Sequence, residues 1–245
     1  NWTKGADWTI GAGVGTKVSG TNNSIEQNVL TTGTWYRCVW TISSYTGSST
    51  MQSRFGVSGT SPLGRSTAGT YTETGRATGT NAGINGGSTA AGSIDNVSYK
   101  AITLSSMFSL STLSTADVYI GVDLIVSANT QVGLALNWDS SSSPANGVIA
   151  YHDGTNCKLE KCVAGVWTSV ISAAATYSAG AKLIVSKIGT AYRLYYNNVL
   201  IVSGTISDAS IINNTLHGLF STDSSNMLDN FTCYATGTSG EYSIL

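Results

Sequence analysis

Charge is scarce in this chain: Asp, Glu, Lys and Arg make up only 10% of its 245 residues, against roughly 25% in an average globular domain. The net charge is −1, and no basic or acidic run interrupts the sequence. Without a basic groove, phosphates go unneutralised, so nucleic acid is excluded as a partner. An anionic membrane surface would need a similar patch. Long apolar runs are missing too; none nears the roughly 18 residues of a membrane span, so no membrane insertion is expected. Helical periodicity is equally absent, since no stretch of about 11 residues repeats its apolar positions every 3.6. The sequence opens at Asn1 rather than at an initiator Met and is expected to be a mature or excised piece of a longer polypeptide, with no signal peptide expected in it.

What is present points to strands. Hydrophobic residues reach 41%, enough for real cores, while Ser, Thr and amides supply solubility without charge. Period-two alternation recurs. In Tyr36-Arg37-Cys38-Val39-Trp40-Thr41-Ile42, Tyr36, Cys38, Trp40 and Ile42 share a face. Asp117–Leu124 and Lys182–Ser186 alternate in the same way. The 28 glycines punctuate these runs, notably at Gly47, Gly79, Gly86-Gly87, Gly154 and Gly189. Asn197-Asn198 is expected at the tip of a hairpin, because Asn tolerates positive φ. One helical turn is expected near Asp208 to Ile212.

The four cysteines are Cys38, Cys157, Cys162 and Cys233. Cys157 and Cys162 fall in one strand-like run, and an odd separation puts them on opposite faces, where they cannot readily bridge. Free, semi-buried thiols are expected, and they point to assembly in a reducing compartment.

An internal echo divides the chain. Ser93-Ile94-Asp95-Asn96-Val97-Ser98-Tyr99 closes the first half, and Leu228-Asp229-Asn230-Phe231-Thr232-Cys233-Tyr234 nearly closes the second. Each is an apolar residue, then Asp-Asn, then an alternating strand. The expected class is all-β, two antiparallel β-sandwich (jelly-roll) domains in tandem, residues 1–102 and 103–245.

Asn1-Trp2-Thr3-Lys4-Gly5, Trp8-Thr9-Ile10, Gly33-Thr34-Trp35-Tyr36-Arg37, Ala68-Gly69-Thr70-Tyr71-Thr72 and Gly92–Val97 resemble the jelly-roll modules of the galactose-binding-like superfamily. Many carbohydrate-binding modules belong to it. Ile149–Asn156, Leu159-Glu160-Lys161, Trp167, Leu194–Asn198 and His217–Ser221 are similar to laminin-G-like, concanavalin-type sandwiches. Paired modules of this style look like pieces of bacteriophage virion proteins, such as tail fibres and head decorations. In both resembled families the Asp of the terminal Asp-Asn strand can join backbone carbonyls around a structural Ca²⁺. The resemblance therefore makes Asp95 and Asp229 candidate metal ligands. The alternative is that each Asp only hydrogen-bonds neighbouring loop amides.

Sugar rings stack on Trp and Tyr while amides and carboxylates take their hydroxyls. Trp8, Tyr36 and Trp40 fall in phase with core positions. Trp35, Tyr45, Trp138 and Tyr151 fall at strand ends or in loops. Trp138-Asp139 and Tyr151-His152-Asp153 flank one Ser-rich loop, so these five residues form the candidate carbohydrate site, with ordinary rim packing as the competing reading.

Catalysis finds no parts. His152 and His217 each have a duller role, in a turn and at a strand start, and no nucleophile elbow exists. Glu26, Glu73, Glu160 and Glu241 do not fall at the Glu-x-Asp-x-x-Glu spacing of concanavalin-type glycosidases, so a two-carboxylate mechanism lacks its parts. The expected function is a non-catalytic virion-surface or tail-fibre module that binds glycan or another surface ligand. It would act as a homo-oligomer among other virion proteins, on a virion surface or extracellularly, assembled in the host cytoplasm if phage. Two alternatives stand: a purely structural capsid or fibre decoration, and a carbohydrate-binding appendage of a secreted glycosidase.

Overall fold

The structure is a computed structural model, and it describes residues 1–56 and 64–236. Glu241 lies outside them. The chain divides into two compact units, Asn1–Ile102 and Thr103–Leu245. Each is built of antiparallel strands, and the described residues are all-β apart from two short turns of helix.

The first unit contains β1 (Thr3–Lys4), β2 (Trp8–Gly11), β3 (Val14–Lys17), β4 (Asn23–Asn28), β5 (Trp35–Thr46), β6 (Met51–Phe55), β7 (Gly69–Arg76), β8 (Asn81–Gly86) and β9 (Ala91–Ile102). They form a four-stranded sheet, β1-β4-β8-β6, and a five-stranded one, β2-β3-β9-β5-β7. The inward face of β5 (Tyr36, Cys38, Trp40 and Ile42) packs with Trp8, Ile25, Phe55 and Ile84 into one core. Glu73 is buried in this unit. Its carboxylate accepts from Trp40 Nε1 (3.3 Å), Arg65 Nε (3.1 Å) and Ser53 Oγ. A buried charge is tolerable because it is paired and hydrogen-bonded.

The second unit begins with a 3-10 turn at Leu104–Met107. There follow β10 (Phe108–Thr112), β11 (Val118–Ile125), β12 (Val132–Trp138), β13 (Gly147–His152), β14 (Asn156–Val163), β15 (Val166–Ala174), β16 (Ala181–Ile188), β17 (Ala191–Tyr196), β18 (Val199–Thr205), α1 (Ala209–Ile212), β19 (Leu216–Ser221) and β20 (Met227–Ala235). The sheets are β10-β19-β12-β13-β14-β15 and β18-β17-β16-β11-β20. Val118, Ile120, Val122 and Leu124 of β11 face Leu134, Val148, Leu159, Leu183 and Leu194 in the shared core. The β17–β18 turn has Asn197 at φ 51° and Asn198 at φ 64°, the left-handed pair that a two-residue hairpin requires.

The Asp-Asn echo is a repeated β-bulge. In β9, Asp95 pairs with Thr41 and Ser98 with Val39, so Asn96 and Val97 together oppose Trp40. In β20, Asp229 pairs with Asp123 and Thr232 with Gly121, so Asn230 and Phe231 oppose Val122. Asn96 (φ 54°) and Asn230 (φ 50°) take the left-handed conformation at the extra residue, where Asn is among the few tolerated side chains. None of the four cysteines forms a disulfide. Cys157 lies in the core cluster of the second unit and Cys162 outside it, as their odd spacing requires. Among the described residues, no helix is long and apolar enough to cross a membrane.

Candidate functional site

The five residues expected to form one aromatic rim are not brought together. Trp138 ends β12 at the Ser-rich loop, whereas Tyr151 pairs with Gly133 at the far end of the same strand. Five residues of strand separate those positions, roughly 17 Å at about 3.3 Å per residue. Both rings are also buried, with 0% of Trp138 and 4% of Tyr151 exposed. Trp138 lies on Gly147, where a Cβ would come within 2.3 Å of the indole. Its ring is 4.4 Å from Phe108 and 5.9 Å from Trp167, and its Nε1 donates to the Val148 carbonyl. Tyr151 packs on Phe220 at 5.7 Å, with Lys158 Nζ 5.9 Å from its ring. Neither ring presents a stacking face. The rim expectation is corrected on that ground: β12 and β13 are buried along their whole length, so strand ends there are core.

The three polar members hold loops. Asp139 accepts from the Ala145 amide (3.0 Å) and from Asn146 Nδ2 (2.7 Å). Those amides bring its carboxyl below the ordinary range despite the opposing effect of burial. Asp153 caps the β13–β14 turn through the amides of Thr155 and Asn156 and pairs with Lys158 Nζ at 2.6 Å. Buried His152 takes the Gly154 amide on Nδ1 (2.8 Å) and lies 3.1 Å from the Ala175 carbonyl through Nε2. Burial lowers its pKa. His217 is buried against Thr115, Asn137 and Lys187, and burial pulls its pKa to about 4. Neither histidine is placed to meet a substrate. Glu26 pairs with Arg54 at 3.0 Å, Glu73 is spent in the first core, and Glu160 is buried.

Asp95 and Asp229 serve the bulges. Asp95 Oδ1 accepts the Asn96 amide at 2.6 Å, and Asp229 Oδ1 accepts the Asn230 amide at 2.8 Å. Calcium takes six to eight oxygen ligands. Among the described residues no three His, Cys, Asp or Glu side chains gather, and Lys182 Nζ already stands 3.5 Å from Asp123, the neighbour of Asp229. At either aspartate, backbone carbonyls would have to supply most of the oxygens of a calcium cage.

Each bulge instead forms one wall of a cleft. In the first unit about 260 Å³ is enclosed between Trp2, Ile10, Ile94, Asp95 and Asn96. In the second, about 560 Å³ opens between Asp123, Asp229 and Asn230 on one side and Ile125, Met227 and Gly180 on the other. Asp123 Oδ2 is fixed by Asn230 Nδ2 at 2.7 Å. Asn226 braces the rim: its Oδ1 accepts from Ser127 N and Thr130 Oγ1, and its Nδ2 donates to the Gln131 carbonyl and Ser221 Oγ. Fixed carboxylate and amide groups beside exposed Ile125 and Met227 make a pre-formed, mixed polar and apolar site. Asp123, Ile125 and Met227 escape sequence reading because only the β11–β20 register places them side by side.

No family model matches this chain, and no curated protein matches it. Similar solved structures include the carbohydrate-binding module CBM66 from Bacillus subtilis, 14% identical over 56% of this chain and 80% of that one, with a TM-score of 0.40. Sheep galectin-11 in complex with glycerol is 10% identical over 51% of this chain and 96% of that one, with a TM-score of 0.39. Mouse laminin alpha1 domains LG4-5 are 8% identical over 88% and 83%, with a TM-score of 0.29. At these values the likenesses carry no assignment.

Proposed function

We propose that the chain is a non-catalytic glycan-binding module whose second unit holds sugar in the Asp123/Asp229/Asn230 cleft. The observation that carries this reading is the bulge geometry. It sets two carboxylates opposite each other, fixes one with an amide, and leaves apolar Met227 and Ile125 alongside. Carboxylates accept from sugar hydroxyls, the Asn230 amide orients them, and the apolar wall takes a ring's C–H face. An open cleft of this kind binds one copy weakly, so capture depends on many copies displayed together. That requirement fits a homo-oligomer on a virion surface or tail fibre. Asp123→Ala and Asp229→Ala in the full chain, tetramerised on streptavidin and read on a glycan array, test it. Signal lost in both variants supports the reading; signal unchanged in both removes it.

A structural role in a fibre or shell has its own support. Both edges of the five-stranded sheet of the second unit expose apolar side chains, Val199 (62%) and Leu200 (49%) on β18, and Met227 (60%), Phe231 (43%) and Tyr234 (61%) on β20. Exposed edges of this kind favour contacts with further chains. A folded, multivalent chain that binds no glycan favours this role.

A further inference from the structure

The outward face of the β18-β17-β16-β11-β20 sheet carries more than the cleft. On β11, Val118, Ile120, Val122 and Leu124 point into the core, so Tyr119, Gly121 and Asp123 point out. Register extends this face across the strands. Tyr119 lies between Tyr234 and Ser186, and Ser186 lies opposite Arg193. One row further on, Gly121 lies opposite Ile184, which lies opposite Tyr195. Tyr234 is 61% exposed, and Tyr119 and Tyr195 are half-buried. The Tyr119 hydroxyl is pushed up in pKa first by burial and then by Tyr195. Gly121 keeps the floor between them low; a Cβ there would meet Ile184 at 3.2 Å.

The face is polarised. One end is the cleft, where Asp123 and Asp229 outnumber the single cation Lys182, 3.5 Å from Asp123. At the other end Arg193 is exposed, and among the described residues no carboxylate pairs with it. Between them stand Tyr119, Tyr195 and Tyr234, over buried Ser186 and Ile184. Tyr234 and Tyr195 stand on strands three positions apart, about 14 Å at the usual spacing near 4.8 Å. That is longer than one sugar ring.

We infer that this face binds an extended, carboxylate-bearing polysaccharide, with its hydroxyls in the cleft, its rings on Tyr119, Tyr195 and Tyr234, and a carboxylate on Arg193. The inference rests on the glycan-binding reading and names its ligand class. Guanidinium is suited to this because its planar fork meets a carboxylate through two parallel hydrogen bonds.

The test is affinity gel electrophoresis of the full chain in four acidic polymers (polygalacturonate, alginate, hyaluronate and polysialic acid) and two neutral ones (galactan and methyl-esterified polygalacturonan). Retardation by at least one acidic polymer is expected. Arg193→Gln should weaken it tenfold or more, Arg193→Lys less, and Tyr195→Ala should weaken it without changing the melting temperature. Added salt should weaken it as well. Retardation by neutral polymers alone, lost in Asp123→Ala and kept in Arg193→Gln, overturns the acidic ligand while the cleft reading stands. Retardation by none of the six overturns this inference, and glycan-array signal lost in the Asp123→Ala variant would show that the cleft reading survives it.

Discussion

At His217 the cost of burial is largest among the ionisable side chains that can titrate near neutrality. The ring sits between the Asn137 amide and the Thr115 carbonyl, near the ammonium of Lys187, itself buried and paired with Asp117 at 2.6 Å. Its pKa falls to about 4 from an ordinary 6.5. Between those values the unfolded chain holds a proton that the native chain refuses. Stability attributable to this ring is therefore full above pH 6.5 and is lost as pH falls toward 4, by roughly 3 kcal/mol. Denaturant melts at several pH values should show that slope, flattened in His217→Gln; an unchanged slope in the variant would place the loss elsewhere. Asn230 is the second informative residue. At φ 50° it should accept glycine with little effect, while Asn230→Val should cost about 1–3 kcal/mol because a β-branched side chain is strained there. Equal melting temperatures for the two variants would deny the left-handed bulge.

Among elements, those that alternate were readable. β5, β11 and β16 follow from period two, and the Asn197-Asn198 hairpin follows from turn chemistry. The Asp-Asn repeat was visible as a repeat, but its meaning was not, because a bulge is defined by the partner strand and its register. β12 and β13 misled for a related reason. A strand buried along its length does not alternate, so Trp138 and Tyr151 looked like rim residues when they are core. The bulges also bear on metal. Each aspartate already accepts its neighbour's amide, so a melt should be indifferent to EDTA and to added calcium. A chelator-induced drop reversed by calcium, and absent in Asp229→Ala or Asp95→Ala, would restore the cation.

For the whole molecule, the two cores share no cluster: one contains Trp8, Trp40 and Phe55, the other Ile120, Leu134 and Leu183. Residues 1–102 and 103–245 expressed separately should therefore give at least one cooperative unfolding transition. Two fragments that both fail to fold would make the units mutually dependent. The echo of Asp95-Asn96 in Asp229-Asn230 falls in β9 of one unit and β20 of the other. The location of the Asp123/Asp229 cleft is not legible in the sequence, since its walls come from β11 and β20, more than a hundred residues apart. Sugar, on the proposed function, meets the chain in this cleft. The most direct test is amide chemical-shift mapping of the full chain with the glycan that binds best. Perturbations should gather at Asp123, Ile125 and Met227–Asn230; shifts confined to the Ser-rich loop at Asp139–Asn146, with the cleft silent, would contradict it.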